Sequence, residues 1–245
     1  MQVKKTFKLT IEYDGSEFWG WQIQPDVRTV QGELKKAVEK LIPGKFRIIG
    51  ASRTDRGVHA EGQVASLHVE SAKFSPHELR RALNALLPSD IYIHSVEEVD
   101  PKFNARFDAR GKLYRYRIIP EKKSPIRRKY TWDGVENFSF DTAKKVFENI
   151  AGEIDFSGLI IGEARENTIT KITTSFVEKH GDEVHFYIEG ERFFYKMVRL
   201  LVGFTVAIAT GCEQEDCLIK ALKGERPRIF WIAPPEGLTL VKVFY

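Results

Sequence analysis

The sequence predicts an α+β protein made of two successive β-α-β-β-α-β halves, each an antiparallel sheet with helices on one face, the two sheets adjoining across a central cleft. Two observations carry this prediction. A chain of 245 residues, 42% hydrophobic and 29% charged, can bury a real core and suits one large domain or two intimate halves. Strand-like alternation and helix-like spacing of apolar residues then follow one another in the same order twice. The halves are expected at residues 1–104 and 105–245. No repeat is visible in the sequence itself, so the duplication rests on the order of elements.

The first half opens with Phe7, Leu9 and Ile11 alternating with Lys8, Thr10 and Glu12, a period of two that reads as a strand with one buried face. From Thr29, Val30, Leu34, Ala37, Val38 and Leu41 recur at helical spacing, Thr29 can cap the first turn, and Pro43-Gly44 ends the run. Phe46 to Ile49 and Gln63 to Val69 read as strands around a polar loop from Ser52 to Gly62. Ser75-Pro76-His77-Glu78 combines a cap, a proline at the first helical position and a glutamate that closes a capping box, so a helix should run to Leu87. Ile91 to Val96 completes the half as a strand.

The second half is expected to hold strands at Leu113–Ile119, Thr168–Glu178, Glu183–Glu189 and Leu238–Phe244, with helices at Asp141–Ile150 and Phe194–Ala209. His180-Gly181-Asp182 has the composition of a hairpin turn between its two middle strands.

The net charge of +4 says little, but its distribution says more. Between Lys102 and Tyr130 eleven basic residues stand against two acidic ones, which leaves the remainder of the chain net negative. Aromatic residues are threaded through this stretch, as on surfaces that follow a phosphate backbone. Cys212 and Cys217 are too few for a disulfide scaffold or a four-thiolate zinc site and read as reduced thiols. The N-terminus leads into a strand pattern with no signal-peptide core, and the apolar stretch from Leu200 to Thr210 is shorter than the roughly 20 residues of a bilayer span, so a soluble cytoplasmic protein is expected.

The densest chemistry lies in Ser52-Arg53-Thr54-Asp55-Arg56-Gly57-Val58-His59, where a strand ends in a loop. Loops leaving a sheet commonly hold reactive groups because the sheet fixes them from behind, although an Asp between two arginines can equally be a surface ion pair. This segment, with Gly62-Gln63, resembles the signature of the TruA-type tRNA pseudouridine synthases, G-R-T-D-A-G-V-H followed shortly by G-Q. Ser52 stands where that pattern has glycine and Arg56 where it has alanine. Further blocks resemble the family in order along the chain: Ile11-Glu12-Tyr13-Asp14-Gly15 with Gly20-Trp21-Gln22, Leu87-Pro88-Ser89-Asp90-Ile91 with Asn84, Phe103-Asn104-Ala105-Arg106 with Tyr114-Arg115-Tyr116, Lys196 to Gly203, and Gly237 to Val241. Asn104 takes the place of a usual histidine.

The resemblance implies a homodimeric enzyme without cofactor or metal that converts uridines of the tRNA anticodon stem-loop to pseudouridine. It implies Asp55 as the catalytic carboxylate, acting as a nucleophile or as a base that eliminates the uracil. A carboxylate enclosed in a base pocket needs a cation to stay charged. Arg199, set in the otherwise apolar Met197-Val198-Arg199-Leu200-Leu201-Val202, is the implied partner; without the family pattern it would read as a cation reaching solvent along its stem. Tyr114 is expected to stack on the target base, Arg53 to help extrude the nucleotide or contact phosphate, and Leu240 to wall the base pocket. Tyr116 reads as core. Arg106, Arg110, Lys112, Lys122, Lys123, Arg127 and Arg128 are candidate RNA contacts, although the run from Lys122 to Lys129 is also what a solvated loop looks like.

Two other classes compete. A non-catalytic RNA-binding module shares the element order, but its aromatic-glycine strand motif is absent. A metal-dependent nuclease or phosphatase around Asp55 and His59 would need more carboxylates than Asp55 and Glu61, the acidic residues between Ser52 and Gly62.

Overall fold

The computed structural model describes residues 5–70, 73–162 and 167–245. It is an α+β protein that divides into two compact units, residues 1–110 with 240–245, and residues 111–239. The division falls after Arg110, beyond the boundary expected at Asn104, and the chain returns to the first unit at Leu240.

Unit 1 has the predicted β-α-β-β-α-β order: β1 (Lys5–Tyr13), α1 (Val30–Leu41), β2 (Phe46–Gly50), β3 (His59–Val69), α2 (Pro76–Leu86) and β4 (Ile91–Val99). β1 lies between β3 and β4, antiparallel to both, with Leu9 opposite Ala65 and Val96. β2 pairs with the far half of β3, from Phe46 opposite Val69 to Gly50 opposite Ala65. Further along the same strand the carbonyl of Val241, in β10 (Leu238–Phe244), passes directly over Gly62, closer than any side chain there would allow.

The caps form as the sequence predicts. Thr29 accepts the amide of Gly32, and Ser75 and Glu78 exchange backbone and side-chain hydrogen bonds as a full capping box. Apolar faces of α1 and α2, with Leu34, Val38, Leu79 and Leu83 wholly buried, close on Phe7, Leu9, Ile11, Leu67 and Ile93. β3 departs from the sequence expectation. It begins at His59, well before Gln63, and it is buried on both faces along Val64-Ala65-Ser66-Leu67. The reason is the segment after β4: Ala105, itself fully buried, donates its amide to the Ser66 hydroxyl, and the Tyr245 hydroxyl donates to the Ala105 carbonyl.

Unit 2 contains β5 (Gly111–Pro120), β6 (Trp132–Val135), α3 (Phe140–Glu148), β7 (Gly152–Asp155), β8 (Ile169–His180), β9 (Glu183–Gly190), α4 (Met197–Ala209) and α5 (Glu215–Ala221), and the start of β10. β9 runs antiparallel between β5 and β8, and the two-residue turn Gly181-Asp182, with Gly181 at φ 65°, joins β8 to β9 as predicted. β6, parallel to β5, and β7, antiparallel to β8, were not foreseen; each has only four residues, too few to display a period. α4 starts at Met197, later than the expected Phe194, because Lys196 takes a left-handed conformation with φ 57°. Every α4 residue except Arg199 is buried. Among the described residues no helix is long and apolar enough to cross a membrane.

Candidate active site

In unit 1 the loop Ser52–Val58 is pinned from several sides. Gln63, fully buried within β3, turns its amide onto the backbone of Ser52: Oε1 accepts the Ser52 amide at 3.2 Å, and Nε2 donates to the Ser52 carbonyl at 2.8 Å. Two residues on, the Thr54 hydroxyl bonds the buried Tyr13 hydroxyl at 2.8 Å, and the Thr54 carbonyl accepts the Trp21 amide at 3.1 Å. Gly57 donates to the carbonyl of Phe18, and Val58 donates to that of Asp55. The loop is thus clamped on both sides of Asp55, which is half-buried, while Arg53 and Arg56 extend into solvent.

The adjoining turn explains a glycine. A Cβ on Gly15 would fall inside the Val58 carbonyl, so only glycine lets the Asp14–Glu17 turn approach the loop. His59 braces the same junction. It is 4% exposed, its Nδ1 accepts the Gly15 amide at 3.0 Å, and Asp14 Oδ1 lies 3.2 Å away. That places it as a structural group, which removes one support of the nuclease reading. Among the described residues no group of three or more His, Cys, Asp or Glu is arranged to hold a metal ion. Leu240 is fully buried in β10 of this unit, and Arg106 and Arg110 are exposed on the segment after β4.

In unit 2 the predicted residues are held by a second set of bonds. On β5, Tyr114 and Tyr116 turn to the buried side and Arg115 and Arg117 to the other, as the alternation requires. Tyr114, 5% exposed, meets the ring of Phe193 edge to face at 4.9 Å. The Tyr116 hydroxyl donates to the Pro234 carbonyl at 2.7 Å, and burial, reinforced by the nearby Glu236 and partly offset by Arg199, drives its acidity well below that of an ordinary phenol. Arg199 grips the neighbouring residue, its Nε donating to the Ala233 carbonyl at 2.8 Å while the Ala233 amide donates back to the Arg199 carbonyl at 3.0 Å. Arg199 therefore has a fixed stem in a half-buried setting. Phe193, the Ala233-Pro234 anchor and the Gln63 clamp were not foreseen, because each depends on residues that meet only after folding.

The basic run is more structured than a solvated loop. Arg127 forms a bidentate pair with Asp182 at 2.7 and 2.8 Å and a further bond to Glu183 at 3.0 Å, so much of its charge is used within the unit. Asp182 is correspondingly lowered to about 2. Lys122, Lys123 and Arg128 are exposed and Lys112 half-buried.

Comparison with known proteins gives a consistent result. A family model described as tRNA pseudouridine synthase matches residues 9–108 and 146–245. Proteins called tRNA pseudouridine synthase A are 36% identical in Thermosipho melanesiensis, over 98% of this chain and 100% of that one, and 37% identical in Clostridium botulinum, over the same shares. A relative of the same name in a Geobacillus species is 36% identical over 99% of each chain.

Proposed function

The chain belongs to the tRNA pseudouridine synthase family, isomerases that form pseudouridine in tRNA, and on that premise we propose that its targets are uridines of the anticodon stem-loop and that Asp55 is the catalytic carboxylate. The observation that carries the assignment is the clamped loop: Asp55 is the only carboxylate between Ser52 and Val58, and the loop is pinned before it by Gln63, Tyr13 and Trp21 and after it by the bond from the Gly57 amide to the Phe18 carbonyl. Such fixation lets a group meet a reacting atom without first paying the entropy of being ordered.

The reaction breaks the bond from uracil N1 to C1′, forms one from C5 to C1′, removes the proton from C5 and returns one to N1, so it needs no redox partner. Asp55 either attacks C1′ and is displaced when the freed uracil anion turns and bonds through C5, or takes the C2′ proton to eliminate the uracil and returns a proton to C2′ as C5 bonds to C1′. Its carboxylate then assists loss of the C5 proton. Arg199 supplies the positive charge that keeps the carboxylate ionised once the substrate excludes water. Tyr114 stacks on the extruded base, Leu240 contributes an apolar wall, and Arg53 contacts the backbone of the opened nucleotide. Arg106, Arg110, Lys112, Lys122, Lys123 and Arg128 track phosphates, with Arg127 in a smaller share because of its carboxylate partners. The working form we propose is a cytoplasmic homodimer acting without cofactor.

The test is incubation with tRNA carrying tritium at uridine C5. Wild-type protein should release the label without cutting the chain, and Asp55→Asn should abolish release while leaving tRNA affinity within a few-fold. Label release by Asp55→Asn at the wild-type rate would refute the assignment, and chain cleavage would refute the reaction class. Deuterium at C2′ separates the two routes, since only elimination breaks that bond.

A further inference from the structure

Directly after Asp55, the chain carries a surface feature that the reaction does not use. The guanidinium of Arg56 lies over the indole of Trp19, its central carbon 3.9 Å from the ring centroid, and that indole remains 45% exposed. Leaving this much of a tryptophan in water forgoes a large part of its burial energy. Nor does the exposure come from a loose segment. The Trp19 amide donates to the Arg28 carbonyl at 2.9 Å, its carbonyl accepts Gln24 Nε2 at 2.9 Å, and the next residue, Gly20 at φ 89°, packs its Cα against the Thr54 carbonyl. The indole is thus presented by a backbone tied to the loop of Asp55.

The preceding residue makes an instructive contrast. Phe18 is 1% exposed under the guanidinium of Arg28 at 4.1 Å, and Arg28 is neutralised by a bidentate pair with Asp90 at 2.6 and 2.8 Å. That pair is a closed structural contact. Among the described residues no carboxylate forms an ion pair with Arg56, so the Trp19–Arg56 stack offers both an open aromatic surface and an uncompensated charge.

We propose that Trp19 and Arg56 form a nucleotide platform on which a base of the substrate RNA next to the target uridine continues the stack, with its phosphate facing the Arg56 guanidinium. Planar guanidinium and indole groups are what unstacked bases settle on, and the cation adds the backbone contact. The platform holds the neighbour in place while the uridine leaves the stack, so it acts in substrate positioning and not in the chemical step. The inference rests on the pseudouridine-forming function described above.

The experiment compares Trp19→Ala, Trp19→Phe, Arg56→Ala and Arg56→Lys in steady-state label release from tRNA, over a range of salt. Trp19→Ala should raise KM about tenfold with kcat within twofold, the loss expected for one stacked base, and Trp19→Phe should recover most of it. Arg56→Ala should reduce the slope of log affinity against log salt by about one, and Arg56→Lys should restore the slope without restoring the full affinity. Wild-type KM and salt slope in both alanine variants would overturn the platform and leave the enzyme assignment intact. Absence of label release by the wild-type protein would overturn both. A fall in kcat with unchanged KM would show a structural role only and refute the proposal.

Discussion

Replacing Gln63 with leucine isolates the clamp beneath the catalytic loop. The side chain is wholly buried and leucine nearly matches its volume, so the change removes polar contacts without opening a large cavity. Two contacts reach the loop, the bond to the Ser52 carbonyl at 2.8 Å and the one from the Ser52 amide at 3.2 Å, while Oε1 also accepts the Val64 amide within β3 at 3.2 Å. The approach to the Tyr13 hydroxyl, at 3.5 Å, is too long to add much. With about 1–2 kcal/mol for each of the two partly buried Ser52 backbone groups, the loss at the loop is roughly 2–4 kcal/mol. That is a sizeable share of the 5–15 kcal/mol that holds an ordinary protein folded. For a chain of this length it corresponds to a fall of about 4–16 °C in Tm. Urea unfolding should show a lower midpoint at unchanged slope, hydrogen exchange should show faster opening at the Ser52 amide, and kcat should fall because Asp55 loses its fixed approach. A Gln63→Leu protein with the wild-type midpoint and wild-type protection of Ser52 would refute the clamp.

Arg199→Ala should reduce kcat by at least tenfold with tRNA affinity nearly unchanged, and an equal loss in both parameters would contradict its assignment as the counter-charge of Asp55. Gly15→Ala should cost more than a surface change, because its new methyl has no room against the Val58 carbonyl; wild-type stability and turnover would refute that packing. Tyr116→Phe should lose about 1 kcal/mol with the bond to Pro234 and loosen the Ala233 anchor, seen as faster exchange of the Ala233 amide. Burial lowers both His68 and His185 below the usual histidine value of about 6.5. The unfolded chain therefore binds more protons just below that pH, so stability should decline as pH falls through 6.5 toward the folded values, and NMR titration midpoints at or above 6.5 would refute the direction.

Elements with a long period or a capping signature were readable directly. α1 and α2 carry caps on Thr29 and Ser75 that form as their residue types dictate, and the alternation holds throughout β9, from Phe7 onward in β1 and from Leu113 to Ile118 in β5. Short elements were not readable: β6, β7 and α5 exist because longer neighbours give them a surface to pair with. The early start of β3 was hidden because His59, Ala60 and Glu61 look like loop residues until Tyr13 pairs with Ala60. At the site, the loop and its carboxylate stood out through their resemblance to a family pattern. The bonds that fix them did not, since Gln63 to Ser52 and Arg199 to Ala233 join residues whose proximity no local pattern encodes.

The return of residues 240–245 to unit 1 makes that unit discontinuous. On a ribosome, all of residues 111–239 are synthesised before the segment that covers Gly62. For that interval the nascent first half carries part of β3 as an open margin able to recruit a foreign strand. Loss of residues 240–245 should consequently damage the half encoded far upstream of them, before residue 111.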